Sequence, residues 1–267
     1  MKLGISSYTF GWAVGVPGHK PPRPLDEHGL LDKCGEHGVK VLQIGDNLPL
    51  HTFDGGRLER LAARAGKEGV QLEVGARGLT AERVAEYATI ASRLNARLIR
   101  FVIDDGEYRP TPEQIVDVLL QSKSMLNGVV LGIENHDRFR AETLRQIVQG
   151  AGSERIGICL DTANSLGSGE GLQTVLATLA PFTVNLHIKD FQVERVPHLM
   201  GFVVSGRPAG TGFLDVPSIL KQLAPFDRCH TAILELWTPP EARLEETISK
   251  EAAWAGQSLQ YLKSFFS

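Results

Sequence analysis

Four residues able to bind a cation each close, or nearly close, an apolar run: Glu134 in VVLGIEN (129–135), Asp161 in RIGICLD (155–161), His187 in FTVNLHIK (182–189) and Glu235 in TAILELW (231–237). A surface strand spreads its polar groups by alternation, whereas these runs collect them at the C-terminal end. If the runs are neighbouring strands of one parallel sheet and these side chains turn inward, all four groups converge. Three carboxylates in an apolar cup repel one another and lift their pKa values, so the set needs a cation to neutralise it. Three oxygens and one imidazole nitrogen suit one divalent metal ion of intermediate hardness. Manganese is the first choice, magnesium and cobalt the others, with positions left open for water or substrate. Zinc would normally take more His or Cys ligands.

The elements that must position these groups recur along the chain. Short apolar runs at 2–7, 39–45, 70–75 and 96–103 precede the four already named. Segments of helical period lie between and after them, at about 26–37, 54–68, 80–94, 111–127, 139–150, 170–180, 215–224 and 240–265. Thr80, Thr111-Pro112 and Asp215-Val216-Pro217 are helix-start signals, and Gly38, Gly69 and Gly128 stand where left-handed terminators are expected. Strand then helix, eight times over, predicts an α/β fold: a single-domain (β/α)8 TIM barrel covering 1–267. A doubly wound open sheet is the structural alternative. Two connections, 8–25 after the first strand and 189–214 after the seventh, are too long for simple turns. Both fall at the C-terminal face, where barrel active sites sit and long loops act as lids or binding loops.

Bulk properties narrow the function. The 267 residues carry a net charge of −3, which argues against a nucleic-acid partner. No apolar run reaches the roughly 20 residues that span a bilayer, so no membrane role is expected. The start MKLGISSYTF is too short and polar for a secretory signal, and Cys34, Cys159 and Cys229 are isolated, so they read as reduced thiols of a cytoplasmic protein. In the last helix, Trp254, Leu259, Tyr261, Leu262, Phe265 and Phe266 are expected to pack on the barrel, which leaves a homo-oligomer an open matter.

GIENH, CLDTAN, LHIKD and RPAGTGFLD together resemble the xylose-isomerase-like barrels known as sugar phosphate isomerases/epimerases. That family includes ketose 3-epimerases, hydroxypyruvate isomerase, inosose dehydratase and endonuclease IV. The resemblance runs across essentially the whole chain. It implies that Glu134, Asp161, His187 and Glu235 bind one metal, and that Glu134 and Glu235 are the catalytic acid/base pair. It also implies that Arg207 in GRPAGTG holds substrate oxygens. Asn164, in the place where those epimerases often carry a substrate-gripping histidine, would take part of that role. The stretch between His187 and Arg207 is longer than in those epimerases, and the additional histidines of endonuclease IV are missing.

The resemblance therefore implies a divalent-metal-dependent isomerase or epimerase acting on a ketose, ketose phosphate or related sugar acid through a metal-bound enediolate. Lys189, two residues past His187, and Arg100 and Arg77, in or after the fourth and third strands, complicate a neutral-sugar reading because such cations grip carboxylates or phosphates. They motivate the alternative: a lyase that decarboxylates a 3-oxo sugar acid to a ketose through the same enediolate. His136, directly after Asn135, is expected to orient Glu134 or touch substrate. Tyr8, Trp12, Asp46, Asn47 and Phe202 are expected on the rim. A nuclease and a non-catalytic sugar binder are the readings from other classes. The charge disfavours the first, and a full set of four ligands disfavours the second.

Overall fold

The computed structural model describes residues 1–152 and 154–266; Ser153 and Ser267, the last residue of the expected domain 1–267, lie outside the described residues. Its strands in chain order are β1 (Lys2–Ser6), β2 (Val41–Ile44), β3 (Gln71–Arg77), β4 (Leu98–Val102), β5 (Val130–Glu134), β6 (Ile156–Asp161), β7 (Thr183–Ile188), β8 (Phe191–Arg195), β9 (Phe202–Gly206) and β10 (Thr231–Leu234). All but β8 and β9 pair in parallel as a closed barrel in the order β1-β10-β7-β6-β5-β4-β3-β2. Every residue of β6 and β7 is buried, as expected where helices cover one face of a parallel strand and the barrel interior covers the other.

The helices are α1 (Gly11–Val14), α2 (Glu27–His37), α3 (Gly55–Glu68), α4 (Ala81–Arg93), α5 (Pro112–Ser122), α6 (Ala141–Ala151), α7 (Leu172–Leu179), α8 (Val216–Leu223) and α9 (Leu244–Leu262). Thr80 and Asp215 cap α4 and α8, and Thr111 forms a reciprocal capping box with Gln114 at the start of α5. Gly38 and Gly69 end α2 and α3 in the left-handed conformation. Gly128 does not end α5: the helix stops at Ser122 and passes into a tighter turn at Lys123–Met125. In α9, Leu259 and Leu262 are buried in the core, and Trp254 and Tyr261 pack against it. Among the described residues no helix is long and apolar enough to cross a membrane.

The expected loop 189–214 is instead built around an antiparallel hairpin, β8 with β9, in which Phe191 pairs with Gly206 and Arg195 with Phe202. The other long connection, 8–25, contains α1. A register shift between β6 and β7 pairs Ile158 with Thr183 but Cys159 with Asn185, leaving Val184 as the extra residue. That bulge brings Asn185 and His187 opposite Cys159 and Asp161, so their polar side chains share one face.

Candidate active site

The four sequence-predicted ligands come from β5, β6, β7 and β10, which are consecutive around the barrel. Glu134 and Asp161 are the last residues of β5 and β6, His187 is next to last in β7, and Glu235 follows β10 directly. All four are buried. His187 Nδ1 faces all three carboxylates, at 3.4 Å from Glu235 Oε1, 3.8 Å from Glu134 Oε1 and 4.0 Å from Asp161 Oδ2.

For Asp161, His187 and Glu235 the donor atoms lie close enough to share one ion, whereas Glu134 groups with His187 and Cys159 and stands outside that trio. Oxygens about 2.1 Å from one metal lie roughly 3.0 Å apart when adjacent and 4.2 Å apart when opposite in an octahedron. His187 Nδ1 is buried without a hydrogen bond, as a donor atom reserved for a cation would be, while Glu134 Oε2 and Asp161 Oδ2 meet the ion-pair partners Arg100 and Lys189. Asp161, His187 and Glu235 bring one donor atom each within 4.8 Å of one another, and so do Glu134, Cys159 and His187. Cys159 does not fit as a thiolate ligand, because burial and the nearby Glu134 charge push its thiol well above the ordinary range.

The surroundings hold the carboxylates in place. Asn164 Nδ2 donates to Glu134 Oε1 at 2.8 Å, and Ser6 Oγ donates to Glu235 Oε1 at 3.2 Å. Asp161 Oδ1 accepts from the backbone N–H groups of Ala163 and Asn164. Asn135, read in the sequence only as Glu134's neighbour, joins two strand ends: its side chain donates to Asp161 O and accepts from Asp161 N.

Two protein cations enter the same cluster. Lys189 Nζ lies 2.9 Å from Asp161 Oδ2 and 3.1 Å from Glu235 Oε2. Burial opposes its charge, but Asp161, Glu235 and Glu134 outweigh that and hold the ammonium well above the usual lysine range. Arg100 pairs with Glu134 and, at 2.6 Å, with Asp46, which also receives Arg77 at 2.9 Å. Burial would raise Glu235, yet His187, Lys189 and Arg100 bring it down to about 2. The expectation that only a bound cation could neutralise the carboxylates is thus corrected, since Lys189 and Arg100 already do part of it.

Above this cluster opens a cavity of ≈ 720 Å³. Its charged floor includes Glu134, Glu235, Lys189 and Arg100, and its apolar wall includes Trp12, Val203, Val204 and Trp237. His136, Arg77 and Asn164 also line it, and a second cavity of ≈ 330 Å³ shares Arg77, Glu134 and His136. His136 turns its Nδ1 to Asp137 at 2.7 Å. Tyr8 and Trp12 border the main cavity, while Asp46 and Asn47 serve as hydrogen-bond partners of Tyr8 and Ser7.

Two expected site residues stand elsewhere. Arg207 does not line either cavity; its guanidinium pairs with Glu194 of the hairpin at 3.2 Å. Phe202 is 61% exposed and stacks under Arg195. The reason lies in Asp190, which sequence reasoning missed. Its buried carboxylate accepts from the N–H groups of Phe191, Gly210, Gly212 and Leu214, folding RPAGTGFL into a turn clamped to the end of β7. A Cβ on Gly212 would come within 2.3 Å of Asp190 Oδ1, so only glycine admits the clamp.

Comparison with known proteins finds relatives of the same fold. The family model described as xylose isomerase-like TIM barrel matches residues 31–265. The chain is 34% identical over 265 residues to the 3-oxo-isoapionate decarboxylase of Pectobacterium atrosepticum, covering 98% of this chain and 95% of that one. Among solved structures, the D-psicose 3-epimerase of Clostridium cellulolyticum H10 with D-tagatose is similar at a TM-score of 0.73 and 15% identity, over 100% of this chain and 99% of that one. The IolI protein with a binding zinc atom is similar at a TM-score of 0.68 and 18% identity, over 98% and 99%. At these identities the two structures speak for the fold.

Proposed function

The chain belongs to the xylose isomerase-like TIM barrel family, and from that premise we propose that it is a divalent-metal-dependent decarboxylase converting a 3-oxo sugar acid into a ketose and carbon dioxide. The observation that carries this reading is Lys189, a buried ammonium at the cavity floor between Asp161 and Glu235. A neutral sugar has no use for a permanent cation there, whereas a β-keto acid needs one beside its carboxylate. The 34% identity to a decarboxylase over 98% of the chain supports the same choice.

Glu134, Asp161, His187 and Glu235 would hold the metal, with manganese the first choice and magnesium or cobalt the others. Bound there, the ion supplies Lewis-acid stabilisation to negative charge developing on the substrate oxygens. The protein does the rest. Lys189, with Arg100 and Arg77 lining the same cavity, would orient the C1 carboxylate, and Asn164 and His136 would contact the hydroxyls. Trp12, Val203, Val204 and Trp237 form the apolar wall against which the substrate chain would lie. The C1–C2 electron pair moves into a C2–C3 double bond, the C3 carbonyl oxygen becomes anionic, and carbon dioxide departs. Protonation at C2 then gives the ketose. Glu235, on the cavity floor, relays that proton from water at the mouth. The buried free thiols Cys34 and Cys159 favour a reducing, cytoplasmic setting.

The epimerase reading retains one observation in its favour: Glu134 and Glu235 stand 3.8 and 3.4 Å from the same ring nitrogen, as a proton-exchanging pair would. The experiment that decides is incubation of the manganese-loaded protein with 3-oxo sugar acids and with ketoses in heavy water. Carbon dioxide release with a single deuterium at the new C1 is expected from the acids. Deuterium uptake by ketoses without carbon dioxide from any acid would reject the decarboxylase.

A further inference from the structure

Beneath the four ligands the barrel interior holds a layer of polar side chains where such barrels ordinarily pack branched apolar ones. Gln43 of β2, Glu73 of β3, Asn185 of β7 and Thr231 of β10 are all buried there. Each additional polar group in such a place is costly unless its hydrogen bonds are complete, and here they form one connected set.

The direction of each bond follows from Glu73. Burial pushes its carboxyl up, and each of its oxygens faces a side-chain donor, Thr231 Oγ1 on one and Gln43 Nε2 on the other. Thr231 Oγ1 donates to Glu73 Oε1 at 2.7 Å, so it must accept from Asn185 Nδ2, at 2.8 Å. Asn185 Oδ1 is therefore an acceptor, for Gln43 Nε2 at 3.1 Å and for the Cys159 thiol. Gln43 Nε2 also donates to Glu73 Oε2 at 3.0 Å, so both amide hydrogens are used and the amide cannot flip without setting its oxygen against a carboxylate. Its oxygen, Gln43 Oε1, then meets His187 Nε2 at 2.7 Å and accepts from it.

We propose that Gln43, locked by Glu73 and Asn185, is a positioning residue that fixes His187 as the Nε2–H tautomer and so presents the Nδ1 lone pair to the carboxylate cluster. Without it the three carboxylates facing Nδ1 would draw the proton to that nitrogen, where it blocks metal ligation. The consequence for metal affinity rests on the metal site proposed above; the tautomer does not.

The test is proton–nitrogen correlation spectroscopy of the metal-free, ¹⁵N-histidine-labelled protein at alkaline pH, with the His187 signals assigned by their loss in His187→Asn. Wild type should show Nε2–H, and Gln43→Leu should shift to Nδ1–H while its calorimetric affinity for manganese falls about 10–100-fold. The exchange Gln43→Glu with Glu73→Gln keeps the acceptor, the volume and the net charge, and should retain Nε2–H even if the leucine variant does not fold. Nδ1–H in the wild type or in the exchange variant overturns the proposal, as does an unchanged tautomer in Gln43→Leu. A wild type that shows Nε2–H but binds no divalent metal keeps the relay and rejects the metal reading instead.

Discussion

Replacing Lys189 by methionine removes one charge and keeps most of the side-chain volume. In the metal-free protein the ammonium neutralises Asp161 at 2.9 Å and Glu235 at 3.1 Å, both out of water. Coulomb's law with an effective dielectric near 20 gives each contact about 5–6 kcal/mol before desolvation is subtracted. Deleting one partner of a buried pair leaves a net cost of about 3–5 kcal/mol, because the other charge is stranded. At about 2–4 °C per kcal/mol for a large domain, the chelator-treated variant should melt roughly 6–20 °C below wild type. A divalent ion supplies the missing charge and no longer competes with the ammonium. Saturating manganese, adding about 4 kcal/mol at a thousandfold excess over Kd, should therefore restore most of the loss, with a larger metal-induced shift in the variant than in wild type. Scanning calorimetry with chelator and with manganese reads both quantities, and carbon dioxide release should be lost throughout. Equal melting temperatures without metal, or equal metal-induced shifts, would refute the reasoning.

Glu235→Gln should lower turnover by about 10²–10⁴-fold and weaken manganese binding, as measured by steady-state kinetics and titration calorimetry. Glu251, which lines the cavity and accepts from Trp12 N and Ala13 N, is raised by burial from 4.5 to about 7. A carboxyl raised on folding binds its proton more tightly in the native state, so its contribution is fully present below pH 4.5 and lost as pH rises through about 7. That is about 3 kcal/mol, which Glu251→Gln should remove from the difference in denaturant stability between the two pH limits. Arg207→Ala should leave carbon dioxide release at the wild-type rate and change stability by no more than about 1 kcal/mol, because its partner Glu194 is on the surface.

The barrel was legible because its strands are buried on both faces and therefore read as continuous apolar runs, with capped helices between them. The metal-ligand candidates were legible for the same reason: Glu134 and Asp161 interrupt such runs where an apolar residue would otherwise stand. The hairpin was not, because FQVER and FVVSG lie among proline and glycine, and only Phe191 and Gly206 are buried. Gln43 and Glu73 gave no signal either. Single polar residues in β2 and β3 acquire meaning only when closure of the barrel sets them against Asn185 and Thr231, more than a hundred residues away along the chain. Arg207 was placed by a motif whose glycines serve the Asp190 clamp, so its neighbours in sequence said little about where its side chain points.

The clamp has an architectural consequence. Asp190 stands one residue before the hairpin and grips the chain again at Gly210, Gly212 and Leu214, so the excursion from Phe191 to Ala209 is tied off at its root. Length or sequence changes within it are absorbed outward, without strain reaching His187 three residues upstream. The mouth of this barrel can thus be rebuilt for a differently shaped ligand by replacing the flap, while the residues below keep their register.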